Sequence, residues 1–510
     1  MRIEMLENEY WWGGIVNMAE TTPYTKESAV ELDLGTIHKS LDQSAPLFVS
    51  SKGRYIWSEK PFHIAFWHGE IRIRSAYPVE FSQEGSNLRD ACMNVAKKYY
   101  ELSGEVPESI FFDRPQFNSY IELIHRTNQE NVLEYADNLL KSDFTPGILM
   151  LDGGWQNKIG HWDFPTGQFP DPKAMIDRLH EQGFKVIVWV MPITDKTVKD
   201  YDWLVQEHLL LTDSEGNVME RYWWGGSNPV LDTTNPIALK WFTDQLDYLQ
   251  KEYGVDGFKF DGGDAYFFDS DDDTYIKCLE QEQMDYYIAL AKQYPYHEFR
   301  CGYKPMGKPV VHRLQDKLPV WDGEGLSQVI PHSIMQGMIG AFFHCPDMIG
   351  GGVGESNLYG SDYYEELYMR WVEASTLCPM MQFSVAPWRI VSCENLEIVK
   401  KLAKLHEEMG SYILELAKHA ASTGEPIMRH MAYEFPEENM EEIWDQYMLG
   451  SKILAAPVLK PGCYTRTVKL PKGNWKADDG IIYTGGQTIE IQVPLTRLPY
   501  FIKINTADLS

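Results

Sequence analysis

Between residues 115 and 410, short β-rich runs alternate with helical patterns, and this alternation constrains the fold more than any other feature of the sequence. Such alternation is typical of βα units around a parallel sheet. One clear helical pattern is PKAMIDRLHEQG (172–183), with Pro near its start and Gly at its end. The candidate strands are GILMLD (147–152), KVIVWVMP (185–192), NPVLD (228–232), GFKFD (257–261), FRCGY (299–303), LPVWD (318–322), AFFHCPD (341–347) and PMMQFS (379–384). Eight such units in about 300 residues predict an α/β fold, the (β/α)8 TIM barrel.

The segments on either side of the predicted barrel (116–422) have a different pattern. Residues 1–115 contain apolar runs with a period of two, for example in 45–75, followed by one helical pattern at 88–104. Residues 423–510 contain β-rich runs separated by Pro and Gly turns. We therefore expect an N-terminal β-sandwich and a small C-terminal β-sandwich flanking the barrel.

The charge of the chain excludes several classes of partner. A formal net charge of −28 argues against nucleic acid and against an anionic membrane surface, because both repel such a protein. No apolar run reaches the ~18 residues that a membrane span needs. The N-terminus lacks a signal-peptide pattern, and the seven cysteines include no CxxC pair, so we expect a cytoplasmic protein with free thiols.

Five of the eight candidate strands end in aspartate, at positions 152, 232, 261, 322 and 347. A single Asp after a strand is best explained as a helix cap. Five together favour an acid-lined pocket, because the carboxyl ends of barrel strands form the active-site mouth. Aromatic residues make up 13% of the chain and cluster with Gly in EYWWGG (9–14) and RYWWGG (221–226). A large core would explain them, but such clusters also line pockets for flat ligands such as sugar rings.

The segment GFKFDGG (257–263) is the best candidate for a reactive carboxylate. Its two glycines leave room beside Asp261, and Lys259, two residues earlier on the same strand face, is placed to hold Asp261 ionised. Metal binding would require clustered ligands, and His161, His180, His312 and His344 show no such spacing. We therefore predict a nucleophile or a substrate-orienting group at Asp261, with no metal.

A second carboxylate is available in VWDGEGL (320–326), where Asp322 and Glu324 surround Gly323. Two carboxyl groups flanking a glycosidic bond are the minimum machinery for glycoside hydrolysis. A barrel with an acid-lined mouth and many aromatic residues is therefore interpreted as a glycosidase.

At these residues the sequence resembles glycoside hydrolase family 31, in the branch that includes the myogenesis-regulating glycosidase and bacterial α-galactosidases. The resemblance covers most of the chain. It is carried by LDGGW (151–155), FPDPKAMIDRLHEQGFKVIVWVMP (169–192), GFKFDGGDA (257–265), CPDMIGG (345–351), ELYMRW (366–371), PMMQFSVAPWR (379–389), TGEPIMRH (423–430), LAAPVLKPG (454–462) and VKLPKGNW (468–475).

The resemblance implies a retaining α-glycosidase in which Asp261 is the nucleophile. It implies that Asp152 binds the sugar in the innermost subsite and that Arg313 is a sugar-binding arginine, with Asp347 either orienting Arg313 or binding sugar. Asp264 stands where relatives often carry Glu and is a candidate for binding or for a helix cap. The remaining substrate-binding candidates are Trp189, Trp223, Trp224, Lys259 and Trp321.

Two positions depart from the family pattern. The proton donor is usually an Asp three residues after a Trp, and counting from Trp321 gives Glu324, which we take as the acid/base with Asp322 as second candidate. Many α-glucosidases of the family carry Arg-x-His after the eighth strand, whereas this chain has Gln382 and Ser384. That difference favours α-galactosides over α-glucosides.

The expected function is hydrolysis of terminal α-linked hexosides by double displacement, without metal or organic cofactor. The expected partner is a small oligosaccharide or glycoside, and a homo-oligomer is compatible with the sequence. The alternatives are an α-glucosidase, α-xylosidase or α-N-acetylgalactosaminidase of the same family, or a transglycosylase. A sugar-binding protein without catalysis is disfavoured because both carboxylate positions are occupied.

Overall fold

A ring of parallel strands forms the centre of the molecule in the computed structural model, which describes residues 1–35, 42–124, 126–223, 226–269, 271–352 and 362–505. Consecutive strands pair in parallel, and the first strand also pairs with the last, as in a TIM barrel. The strands are Gln116–Asn118, Ile148–Leu151, Lys185–Val190, Gly257–Phe260, Tyr296–Phe299, His312–Arg313, His344–Cys345 with Met348–Ile349, and Gln382–Phe383. They are buried along almost their whole length, which explains their apolar sequences.

The seventh barrel strand is split into two short pieces. His344–Cys345 pairs with the sixth strand, and Met348–Ile349 pairs with the eighth. Between them, Asp347 has a left-handed backbone (φ 78°), a conformation that interrupts a regular strand. The two pieces together complete the ring, because one pairs with the sixth strand and the other with the eighth.

Helices with clear start and stop signals connect the strands. Asp171 caps Pro172–Glu181 by accepting a hydrogen bond from the Ala174 amide. Asn235 caps Pro236–Tyr253, which ends at Gly254 in the left-handed conformation. The other helices of eight or more residues in this region are Gln129–Lys141, Glu280–Ile288, Val329–Met338, Asp362–Thr376 and Cys393–Thr423. The shorter helices are Ile110–Asp113, Tyr120–Leu123, Tyr201–Gln206 and Pro387–Ile390.

Three of the eight candidate strands differ from the structure. NPVLD does not belong to the barrel, because Gly226–Pro229 forms an antiparallel hairpin with Glu220–Trp223. LPVWD forms a tight turn in which the Leu318 amide donates to the Glu324 carbonyl. FRCGY begins on the last residue of the fifth strand. The barrel instead uses Gln116–Asn118 and His312–Arg313, which are too short to show a period in sequence.

Two four-stranded antiparallel sheets form the N-terminal β region. Their facing sides share one apolar core, which includes Trp11, Phe48 and Phe66. One sheet contains Arg2–Glu4, Glu70–Arg74, His63–Trp67 and Ala29–Asp33, and the other contains Trp11–Ile15, Ser44–Ser50, Arg54–Trp57 and Glu80–Gln83. The helix Leu88–Tyr99 follows, capped by Asn87.

The C-terminal β region contains a six-stranded sheet and a two-stranded sheet around a second apolar core, which includes Trp475 and Phe501. The larger sheet contains Met428–Arg429, Tyr447–Leu449, Ile453–Ala455, Tyr500–Ile504, Asn474–Ala477 and Ile482–Thr484, and the smaller contains Thr465–Leu470 and Gln487–Gln492. The short helix Met431–Glu434 lies between the first two strands of the larger sheet. Within the residues that the structure describes, no helix has the length and apolar character to cross a membrane.

Candidate active site

Asp261 lies at the centre of a polar cluster at the carboxyl ends of the barrel strands. It directly follows the fourth strand and is 7% exposed. Its Oδ2 accepts a hydrogen bond of 2.9 Å from the indole of Trp189, and its Oδ1 lies 3.2 Å from Nη1 of Arg300. One carboxylate is thus held from two sides.

Opposing effects act on the pKa of Asp261. Burial raises the pKa, but the positive charges of Arg300, Lys259 and Arg313 outweigh burial and lower it to about 2. Asp261 is therefore ionised at neutral pH even though almost no water reaches it.

Gly262 and Gly263 keep the space beside Asp261 free. Both have a left-handed backbone, with φ of 61° and 67°. A Cβ on Gly263 would lie 2.5 Å from the ring of Tyr287, whose hydroxyl donates to the Asp261 carbonyl. Only glycine fits this position without moving Tyr287.

Arg300 connects the nucleophile candidate to Asp264. Its Nη2 donates to Asp264 at 2.7 Å, and its guanidinium lies 4.6 Å from the ring centre of Trp223. Asp264 makes no capping hydrogen bond to the turn that follows it. Burial raises the pKa of Asp264, while Arg300 acts in the opposite direction. The structure therefore favours an ion-pairing role for Asp264 over a helix cap.

Asp152 and Lys259 form a buried ion pair beneath this cluster. Asp152 follows the second strand, and its Oδ2 accepts hydrogen bonds from Lys259 and, at 2.7 Å, from Asn118 at the end of the first strand. Burial lowers the pKa of Lys259, but the charge of Asp152 leaves it above its ordinary value. Lys259 is thus charged, and its contact fixes the Asp152 carboxyl group.

Arg313, at the end of the sixth strand, is surrounded by carboxylates. Its Nη1 lies 2.6 Å from Asp347 and 2.7 Å from Asp316, and its Nε lies 3.3 Å from Glu298. Asp347 also accepts the Lys317 amide at 2.7 Å. Burial raises the pKa of Asp347, and Arg313 opposes this. The contact between Asp347 and Arg313 is the one that an orienting role for Asp347 requires.

The aromatic candidates are in different environments. Trp189 is buried against Asp261, and Trp223 is half-buried over Arg300. Trp321 is buried, and its backbone carbonyl accepts a hydrogen bond from the Ser327 amide. Trp224 lies outside the described residues.

The two proton-donor candidates from the sequence lie on an exposed turn. Asp322 and Glu324 are both exposed, and Gly323 between them has φ of 56°. Neither carboxylate makes a hydrogen bond or ion pair with a residue in the described part of the chain. The turn also requires glycine at position 325, because a Cβ there would lie 2.0 Å from the Val320 carbonyl oxygen.

A different carboxylate, Asp316, lies on the cluster and is partly open to solvent. Its side chain is 36% exposed while that of its partner Arg313 is 1% exposed. Its charge acts together with those of Asp152 and Asp261 on the half-buried Tyr120, whose pKa is raised by burial and by these three carboxylates. Asp316 also raises the pKa of Arg300. Asp316 is therefore linked to the nucleophile candidate through Arg313, with which it pairs and whose charge also lowers the pKa of Asp261.

The sequence interpretation missed Arg300, Asp316, Glu298 and Tyr120. Arg300 directly follows the fifth strand, and Tyr120 lies two residues after the first, so position after a strand was the available signal. The prediction from sequence rests on aspartates at strand ends alone. Glu298 lies inside a strand, in register with Lys259, and only the pairing of the two strands reveals it.

Carboxyl groups outnumber cations in the cluster. The cations Lys259, Arg300 and Arg313 face the carboxylates Asp152, Asp261, Asp264, Glu298, Asp316 and Asp347. An ionised buried carboxylate beside a partly open one can supply a nucleophile and a proton donor. Among the described residues, no three His, Cys, Asp or Glu side chains form a group suited to a metal ion.

Known proteins resemble this chain throughout the barrel and the C-terminal region. The family model "Glycosyl hydrolases family 31 TIM-barrel domain" matches residues 118–416, and "Glycosyl hydrolase family 31 C-terminal domain" matches residues 424–507. The myogenesis-regulating glycosidase of Mus musculus is 30% identical over 435 residues, covering 82% of this chain and 60% of that protein. An α-xylosidase of Lactiplantibacillus pentosus is 26% identical over 493 residues, covering 90% of this chain and 62% of that protein.

A solved structure has the same fold. The family 31 dextranase of Flavobacterium johnsoniae, in complex with glucose, superposes with a TM-score of 0.84 at 20% identity, covering 99% of this chain and 66% of that chain. This chain spans about 60% of the length of the two curated relatives. Because the barrel model alone matches 118–416, more than half of the sequence, the chain belongs to glycosyl hydrolase family 31.

Proposed function

We propose that this protein is a retaining α-glycosidase that removes terminal α-linked hexoses by double displacement. The observation that carries the proposal is Asp261, a buried carboxylate held ionised by Arg300 and Lys259 and oriented by the Trp189 indole. An ionised, oriented carboxylate in a nearly dry pocket is what attack on an anomeric carbon requires.

In the first step, Asp261 attacks the anomeric carbon and the bond to the leaving oxygen breaks. A carboxylic acid protonates that oxygen and then, as its conjugate base, takes a proton from the water that releases the sugar. The sugar leaves with retained configuration because the anomeric carbon is inverted twice.

For the acid/base we propose Asp316 ahead of Glu324 and Asp322. A proton donor must reach both the sugar and the leaving group, so partial exposure at the pocket edge suits it. Asp316 is partly exposed and contacts Arg313, whereas Asp322 and Glu324 lie on an exposed turn. Glu324 and Asp322 remain the alternatives that the sequence spacing favours.

The charge balance of the cluster supports a glycosidase. The transition state of glycoside hydrolysis carries positive charge at the anomeric carbon. Carboxyl groups outnumber cations six to three in the cluster, and Asp261, which is held ionised, supplies a preorganised negative field that stabilises such a charge. An anionic substrate such as a sugar phosphate would be disfavoured by the same field.

For the sugar, we propose α-galactosides first and α-glucosides or α-xylosides second. Gln382 and Ser384 stand where many α-glucosidases of the family carry Arg-x-His, and both are fully buried. Gln382 donates to Glu298 at 2.7 Å, and the Ser384 hydroxyl accepts a hydrogen bond from the Ile121 amide at 2.8 Å. Gln382 therefore supports the pocket floor, and Ser384, at the position of the histidine, presents no imidazole to sugar hydroxyls. The similarity to an α-xylosidase and to a dextranase keeps the other sugars, and transfer to a second sugar, as alternatives.

A panel of nitrophenyl α-glycosides tests the function, with the galactoside, glucoside, xyloside and N-acetylgalactosaminide in parallel. We expect hydrolysis of one α-glycoside and, by proton NMR, first release of the α-anomer. A covalent adduct with a cyclophellitol-type inhibitor, mapped to Asp261 by mass spectrometry, would support the nucleophile. First release of the β-anomer, or an adduct on another residue, would refute the proposal.

A further inference from the structure

Gln43, in the N-terminal β region, contacts the barrel directly behind the site. Its side chain is fully buried. Its amide nitrogen donates to the Arg300 carbonyl and, at 3.0 Å, to the Arg313 carbonyl. Its amide oxygen accepts a hydrogen bond of 2.7 Å from Gln336. A single side chain thus joins the ends of the fifth and sixth barrel strands.

The residues on either side of Gln43 fix the same two barrel segments. The Gln315 amide donates to Oδ1 of Asp42 at 2.5 Å. The Ser44 amide donates to the Gly302 carbonyl at 2.9 Å, and the Lys304 amide donates to the Ser44 carbonyl at 2.9 Å. Asp42–Ser44 therefore holds the backbone both after the fifth strand and after the sixth.

The packing at Gly302 shows how closely the two regions meet. A Cβ on Gly302 would lie 2.9 Å from Cγ of Gln43 and 2.9 Å from the His312 ring. Position 302 has room only for glycine, and the absence of a side chain there allows Gln43 to reach the carbonyls of Arg300 and Arg313.

The segments that Asp42–Ser44 holds carry three groups of the candidate site. Arg300 pairs with Asp261 and Asp264, Arg313 pairs with Asp347, and Asp316 follows directly after Gln315. We propose that Gln43 is a positioning residue for the glycosidase reaction, which sets the relative placement of Arg300 and Asp316 around Asp261 from outside the barrel. This inference rests on the proposed function.

Replacing Gln43 tests the proposal. Gln43→Met preserves the length of the side chain but removes both donated hydrogen bonds. Gln43→Glu keeps an acceptor for Gln336 and turns a carboxyl oxygen towards the two carbonyls, so it serves as a second variant if the first does not fold. Because a displacement of about 1 Å can cost about 100-fold in rate, we expect kcat to fall roughly 10- to 100-fold.

Ser50→Ala is the matched control. Ser50 is buried at the end of the strand Ser44–Ser50, which directly follows Gln43, but its hydroxyl donates to Glu9 at 2.8 Å within the N-terminal β region. All variants lose a buried hydrogen bond, so their melting temperatures all fall. Only the Gln43 variants change the site, and we expect kcat of Ser50→Ala to stay within about twofold of the wild type because its contacts lie elsewhere.

The decisive measurement is kcat per active site, with the number of sites counted by covalent labelling with a cyclophellitol-type inhibitor. Loss of folded protein lowers the number of labelled sites and leaves kcat per site unchanged, whereas misplaced groups lower kcat per site. Wild-type kcat per site in a folded Gln43 variant would refute the positioning role alone. A wild-type protein that neither hydrolyses an α-glycoside nor becomes labelled would refute the proposed function and this role with it.

Discussion

Nη1 of Arg300 lies 3.2 Å from Oδ1 of Asp261, and this ion pair is almost completely shielded from solvent. Charge attraction is strong in such surroundings because little water screens it. The pair explains how a carboxylate with 7% exposure keeps its charge. The pKa of Asp261 therefore depends on Arg300, which follows the neighbouring fifth strand.

Replacing the nucleophile candidate should abolish turnover and preserve the fold. In Asp261→Asn the amide has nearly the same shape but cannot form the glycosyl-enzyme, so we expect kcat to fall by roughly 10⁴-fold or more. Steady-state kinetics on the best aryl α-glycoside and a thermal melt measure the two effects. Hydrolysis within about tenfold of the wild type would contradict the assignment.

Removing the charge of Arg300 should shift the pH dependence of activity. Asp261 has a native pKa of about 2, below its ordinary 3.8, so its ionised form stabilises the protein above pH 3.8 and this contribution is lost as the pH falls from 3.8 towards 2. Arg300 is the first of the charges that lower this pKa, with Lys259 and Arg313 after it. In Arg300→Met the pKa of Asp261 should therefore rise and the acid limb of kcat/KM should move to higher pH.

Arg300→Lys is the control for this experiment, since it keeps the positive charge and loses the paired contact to Asp261 and Asp264. We expect its acid limb to lie between those of the wild type and Arg300→Met. An acid limb that is the same in all three proteins would show that Arg300 does not control the ionisation of Asp261.

Neutralising each proton-donor candidate should distinguish them. We expect Asp316→Asn to lower kcat by roughly 10²- to 10⁴-fold for glycosides with poor leaving groups and much less for dinitrophenyl glycosides, which need no proton. Asp322→Asn and Glu324→Gln should each stay within about threefold, because their carboxylates lie on the exposed turn. Added azide should restore the rate of the true acid/base variant. The same dependence on leaving group in Glu324→Gln would transfer the role to Glu324.

The buried pair of Lys259 and Asp152 should be strongly coupled. Lys259→Met leaves the Asp152 carboxylate buried without its cation, and we expect a loss of about 3 to 5 kcal/mol in the free energy of unfolding. Asp152→Asn in the same background removes the unpaired charge. Urea unfolding of both single variants and the double variant should give a double loss smaller than the sum by about 1 to 3 kcal/mol. Additive losses would mean that the two groups do not stabilise each other.

The sequence was sufficient for the barrel and for its second, third and fourth strands, because these are runs of four to six residues that are apolar apart from Lys185 at the start of the third and Lys259 within the fourth. It was not sufficient for the sixth strand, His312–Arg313, since two residues carry no period. LPVWD and NPVLD have the composition of strands, but each contains a Pro, which removes a donor from a sheet. Placing the sixth strand at LPVWD is also what brought Asp322 and Glu324 to the predicted mouth.

The same reasoning explains which site residues could be found. Three of the predicted aspartates follow or interrupt true barrel strands, and each pairs with a cation of the cluster. The pairs are Asp152 with Lys259, Asp261 with Arg300, and Asp347 with Arg313. Arg300 was missed because a cation at a strand end was not counted. The contact from Gln43 to Arg300 joins residues 257 positions apart, and no local pattern can reveal such a contact.

At the split in the seventh strand, a side-chain contact replaces backbone pairing in the barrel wall. Where the backbone of Asp347 turns into the left-handed region, regular pairing to the sixth strand stops at Cys345. The Asp347 side chain takes over by binding Arg313 and the Lys317 amide. At this level the sixth and seventh strands are joined by the contact between Arg313 and Asp347, two groups of the candidate site, so the polar side chains at the mouth of the barrel also close its wall.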